Sequence, residues 1–141
     1  MLKLPVPVAD FKVFPFRTKL FFRVKIFKTL GELRKYAAAV LGQSENRQHD
    51  TAALVYATYE FSETEQLKPL LGEILFCQKY LDWDTITHEL GHATLRLAER
   101  KGWAEKLWER DENGAAGPHE EELCYALGRM AGQIQRRIRV L

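Results

Sequence analysis

The chain has 141 residues, of which 46% are hydrophobic and 28% charged, and carries a net charge of +2. That length holds one hydrophobic core of ordinary size but not two, and the composition excludes a disordered or low-complexity chain. So small a net charge also argues against nucleic acid as the main partner.

Residues 1–30 carry seven Lys or Arg against Asp10 alone. Pro5, Pro7 and Pro15, together with the recurring basic residues, interrupt every apolar run there. Neither a signal-peptide core nor a membrane span is predicted, and the protein is expected in the cytosol. Residues 1–18 read as an extended N-terminal arm, either covering the core or lying across a cleft. Two cysteines, Cys77 and Cys124, fit reduced thiols better than a disulfide framework.

The stretch LFFRVKIFK (20–28) alternates, with Leu20, Phe22, Val24 and Ile26 on one face and Arg23 and Lys25 on the other, so it reads as a half-buried strand with a wet face. Thr29 with Glu32 three positions later is a capping box, and Leu30, Leu33, Ala37, Val40 and Leu41 keep a helical stripe until Gly42 stops it. The polar stretch QSENRQHD (43–50), which contains His49, reads as an exposed loop in which a metal role for that histidine is not expected. AALVYATYE (52–60) and GEILFCQK (72–79) are rich in β-branched and aromatic residues and read as two further strands, paired as a hairpin or placed in one mixed sheet. Asp82 or Asp84 then offers an N-cap for a helix that Gly102 terminates. A short amphipathic piece (103–110) and a turn-rich run (111–118) lead to Pro118, which opens a last helix to about residue 138 with Leu123, Leu127, Met130 and Ile134 as its apolar stripe. Trp83, Trp103 and Trp108 read as core anchors near helix ends.

The chemistry lies in HELGH (88–92). Histidines at i and i+4 of a helix project from one face about one turn apart, which lets both imidazoles reach a single zinc at about 2.0–2.1 Å. Glu89 is turned by about 100° from His88 and can address a water between metal and substrate without being a ligand itself. Gly91, inside the same helix, weakens it and leaves room for something to approach the backbone. Two histidines fall short of the three protein ligands usual for catalytic zinc. The residues after the motif, ATLRLAERKG (93–102), hold no further histidine, so an acidic third ligand is expected, and HEEE (119–122) at the start of the last helix is its obvious source. Cys124 reads as a small core residue and His119 as a capping or solvated one.

HELGH followed by a helix beginning EEELCYALGRM resembles the gluzincins, the superfamily with HExxH plus a downstream glutamate that includes thermolysin. In compactness the chain is similar to minimal single-domain members, such as the ImmA/IrrE-type peptidases and proteins of phages and mobile elements, and the likeness spans roughly residues 50–135. In that superfamily the ligand glutamate precedes a small residue of its own helix, about seven positions back, and from Gly128 that position is Glu121. Glu120 and Glu122 are its rivals, one helical step away on either side. The position where thermolysin-like members carry an aspartate to orient the first histidine is Tyr125 here, which leaves that orienting carboxylate unaccounted for. Gluzincins also use a donor that stabilises the oxyanion, and Tyr125, His119 and Arg129 are the candidates.

The resemblance implies an α+β fold, a minimal zincin-like domain over residues 1–141. Its small mixed sheet of about three strands would pack on an active-site helix and a C-terminal Glu-bearing helix. It implies one zinc ion held by His88, His92 and Glu121, with Glu89 as general base and Tyr125 as a catalytic donor, and peptide or protein substrates. It further implies that substrate adds to the edge strand before the metal-binding helix, a place that GEILFCQK takes in the sequence. Two other readings remain open at this point: a zinc-binding regulatory or interaction module of a phage or mobile element with little turnover, and an enzyme kept latent by its N-terminal segment.

Overall fold

The structure is a computed structural model that describes residues 3–44, 51–57 and 69–141. Among the described residues it is an α+β fold of four strands and three α-helices. β1 (Ala9–Val13) and β2 (Phe21–Phe27) precede α1 (Leu30–Leu41), and β3 (Ala53–Ala57) and β4 (Leu70–Cys77) precede α2 (Trp83–Lys101) and α3 (Pro118–Ile138). One sheet runs in the order β1-β2-β4-β3. β1 lies antiparallel to β2, β2 parallel to β4, and β3 antiparallel to β4.

Three strands were expected and a fourth is present. β1 falls inside the segment expected as an extended arm, where Phe11 and Val13 turn to the core and Asp10 and Lys12 turn outward. The strand pairs Ala9 with Ile26 and Val13 with Phe22, and its Asp10 holds Arg23 by an ion pair of 2.6 Å. Beyond it, the segment does not reach across a cleft. Phe14 exchanges backbone hydrogen bonds with the Gln133 side chain, and the Phe16 ring meets Trp103.

β4 is the centre of the molecule. Every residue of it after Leu70 is buried, and alternate ones fall in different clusters: Ile74 and Phe76 pack with α2 and α3, whereas Leu75 and Cys77 pack with α1. A strand covered on both faces needs the near-continuous apolar run that its sequence shows. The fold is therefore three layers, with α1 on one face of the sheet and α2 and α3 on the other. GEILFCQK is thus not an edge strand; among the described residues the edges are β1 and β3.

The helices start and stop where local chemistry dictates. The Thr29 hydroxyl accepts the Glu32 N–H at 3.2 Å, and the Asp82 carboxylate accepts the Thr85 N–H at 2.8 Å. Gly42 and Gly102 end α1 and α2 in the left-handed region, φ 62° and 72°, which costs a glycine little. Along α2, Ile86, Leu90, Ala93 and Leu97 recur at spacings of four, three and four and bury one stripe. That stripe fixes the rotation of the helix and so decides which of its polar residues face out.

Of the three tryptophans expected as anchors, Trp103 packs on the core, but Trp83 and Trp108 are exposed. Each lies at an element end where no second layer covers it. Cys77 is buried, Cys124 is exposed, and both are free thiols. Among the described residues no helix is long and apolar enough to cross a membrane.

Candidate metal centre

With Ile86, Leu90, Ala93 and Leu97 turned inward, residues 88, 92 and 96 line the outward face of α2 at intervals of four. That face borders β3, an edge strand among the described residues, across a cleft of about 550 Å³, with residues 53–56 on one wall and His88, Glu89, His92 and Arg96 on the other. A neighbouring cavity continues it toward the start of α2, past Thr51, Asp84 and Thr85.

The two imidazoles converge. Their ring centroids are 4.8 Å apart, the planes meet at 77°, and His88 Nε2 lies 3.2 Å from His92 Nε2. Two nitrogens each about 2.0–2.1 Å from a tetrahedral zinc stand about 3.3 Å apart, so the pair already has the bite that such an ion requires. Imidazole nitrogens are also ligands that zinc favours. The residues present therefore fit a zinc ion at two of its positions.

Glu89 is only 7% exposed, tucked toward the sheet side of the same cleft. Burial pushes its carboxyl above the usual range, and the neighbouring His88 and His92 offset only part of that shift. Gly91 does not serve a close approach among the described residues, because a Cβ there would meet none of their atoms within 4 Å.

The structure does not bring the expected third ligand to this pair. Among the described residues, no group of three or more His, Cys, Asp or Glu side chains is placed to hold a metal ion. The reason lies in how the helices pair. Ile86 shares a pocket with Gln135 and Ile138, whereas Thr94 and Leu95 share one with Glu120, Leu123 and Cys124. α2 and α3 are therefore antiparallel, and the acidic opening turn of α3 lies beside the second half of α2, beyond the histidine-bearing turns. Within that turn Glu121 and Glu122 face solvent. Glu120 turns toward α2 and pairs with Arg110 at 3.3 Å. Tyr125 is 63% exposed and stands near Arg129, which itself donates to the Pro15 carbonyl. His119 stacks on Trp103 at 4.6 Å. None of the three candidate oxyanion donors lines the cleft. His49 lies outside the described residues.

Two contributors to the cleft escaped sequence reasoning. β3, an edge strand among the described residues, supplies one wall, a role that only the strand order reveals. Arg96 is legible in retrospect, since it follows His92 by four positions and Glu89 by seven on one helix face.

No family model, no curated protein and no solved structure matches this chain.

Proposed function

We propose that the chain is a zinc-dependent peptidase, with His88 and His92 as metal ligands and Glu89 as general base. The observation that carries this reading is the 3.2 Å separation of the two Nε2 atoms beside a buried carboxylate, in a cleft bounded by an open strand edge. Among the described residues no side chain stands beside the pair as a third ligand; the resemblance to gluzincins points to Glu121, with Glu120 and Glu122 as its rivals, and would require the acidic turn of α3 to move toward the histidines.

Zinc bound by the two histidines would lower the pKa of water to about 7 and polarise a peptide carbonyl. The rest of the work falls to the protein. Glu89 takes the proton of the attacking water and returns it to the leaving amine. Among the described residues β3 is an edge strand beside the cleft, and an extended peptide that paired with that edge would lie alongside His88 and Glu89. Such pairing fixes the substrate backbone independently of its side chains, so the carbonyl is held in place before reaction.

The test measures bound zinc and hydrolysis of an unstructured protein by the full chain and its variants. Glu89→Gln is expected to keep zinc and lose at least about a hundredfold in rate. His88→Ala is expected to lose both. Among Glu120→Gln, Glu121→Gln and Glu122→Gln, the one that loses zinc identifies the third ligand. Zinc bound without hydrolysis in the unmutated protein would replace this reading with that of a zinc-stabilised interaction module.

A further inference from the structure

Arg96 lines the cleft but takes no part in the proposed hydrolysis. It is the only Lys or Arg among the described residues of the cleft wall. On α2 it continues the stripe of His88 and His92 one turn further, so Arg96 stands at one end of the cleft, opposite the end that leads past Asp84.

We propose that Arg96 forms an anion subsite that selects peptides carrying a carboxylate close to the bond presented to Glu89. The inference rests on the peptidase reading and names the substrate class for it.

The present ion pair of Arg96 is solvent-exposed. Nη1 lies 3.0 and 3.2 Å from the two carboxylate oxygens of Glu99, and the two side chains are 41% and 44% exposed. An exposed pair three residues apart on a helix contributes little and exchanges readily with solvent. Nε and Nη2 make no hydrogen bond among the described residues, so the planar fork is open to a carboxylate. Glu89 does not compete for the same donors, because it is buried and the ion pair of Arg96 is with Glu99. A peptide added to β3 turns alternate side chains toward α2, which brings a side-chain or terminal carboxylate within reach of Arg96. The two sources share one chemistry, a planar carboxylate, and differ only in where along the peptide it stands.

Three acetylated hexapeptides of one neutral sequence separate these cases: one ending in an amide, one in a free carboxylate, and one an amide with a central glutamate. Each is titrated calorimetrically into the full-chain Glu89→Gln protein, in which turnover is stopped. One of the two anionic peptides is expected to bind about tenfold more tightly than the neutral amide, with a preference that shrinks as salt is raised. The free-carboxylate arm reports recognition of a C-terminus and the central-glutamate arm recognition of a side chain. Adding Arg96→Gln should reduce the preference below about twofold, and Arg96→Lys should restore part of it, since a lysine keeps the charge without the fork. Equal binding of all three peptides, no binding of any, or a preference that survives Arg96→Gln overturns the proposal. Because binding is read and not turnover, the subsite can stand in a protein that fails the zinc test. A zinc peptidase without acid preference would end this inference and leave the peptidase reading intact.

Discussion

Among the described residues two carboxylates are buried, Glu73 on β4 and Glu89 on α2, and they meet different company. Glu73 lies on the α1 side of the sheet. Lys25 Nζ is 2.6 Å from its Oε2, the Tyr36 hydroxyl donates to Oε1 at 2.6 Å, and the Tyr56 hydroxyl donates to the same oxygen. The network ties β2, β3, β4 and α1 together at one point. Lys25→Met would leave the carboxylate buried without its cation and should cost about 3 kcal/mol in urea unfolding, less in the double variant with Glu73→Leu, where no charge is stranded. The pH dependence has a definite sign. Burial works against the Lys25 ammonium, but its hydrogen bonds to Glu73 and Tyr36 and the charge of Glu73 outweigh it and hold its pKa above the usual lysine range. Burial and Glu73 likewise hold Tyr36 and Tyr56 above the ordinary phenol range. In each case the folded protein keeps a proton that the unfolded chain gives up above about pH 10, so this stability is complete below that pH and lost as pH rises through the folded values. Unfolding followed from pH 8 to 11 should show stability falling steeply, and less steeply in the Lys25→Met/Glu73→Leu protein. Lys25 was expected on a wet face because β2 alternates; the alternation is real, but α1 covers the second face, and an alternating strand alone does not say whether a helix will lie over its polar side.

At the scale of elements, caps and stripes were legible because their causes are local. Thr29, Asp82, Gly42, Gly102 and Pro118 each act within a turn of their own position, and all three helices run where those residues place them. β1 was missed because its alternating Phe11 and Val13 span only five residues between prolines, and what makes it a strand is the pairing supplied by β2. The position of β4 was missed for the same reason, since strand order is decided by long-range pairing that no local window contains. The turn before α3 carries a sharp prediction. Gly117 donates to the Glu109 carbonyl at 3.1 Å, and a Cβ there would stand 2.5 Å from that same oxygen. Gly117→Ala should therefore destabilise by about 2 kcal/mol by forcing the backbone apart. Gly128→Ala, inside α3 with nothing within 4 Å of a new Cβ, should instead stabilise by about 0.5–1 kcal/mol. Denaturant melts of the two variants side by side test both signs, and a loss at Gly128 would show that the open space there is not free.

For the molecule as a whole, the sheet is the frame that turns one helical motif into a cleft. α1 and the α2–α3 pair cover its two faces, β1 closes on β2, and β3 leaves a backbone edge beside the one helix face that carries His88, Glu89, His92 and Arg96. The histidine pair was legible in the sequence because both ligands sit on one helix, where spacing alone fixes geometry. The third ligand was not, since it requires the register of α3 against α2, and the antiparallel pairing sets the acidic turn along the second half of α2. A protein that binds zinc only when folded is stabilised by it, by about 4 kcal/mol at a thousand times the dissociation constant. Zinc should accordingly raise the melting midpoint of the unmutated and Glu89→Gln proteins and leave that of the His88→Ala/His92→Ala protein unchanged. X-ray absorption at the zinc edge on the metal-loaded full chain is the most direct test of the shared metal position. The account predicts one zinc per chain, with two imidazole nitrogens at about 2.0–2.1 Å that vanish from the spectrum of the double-alanine variant. Zinc bound with the same spectrum after both histidines are removed, or no zinc bound by the unmutated chain, would contradict it.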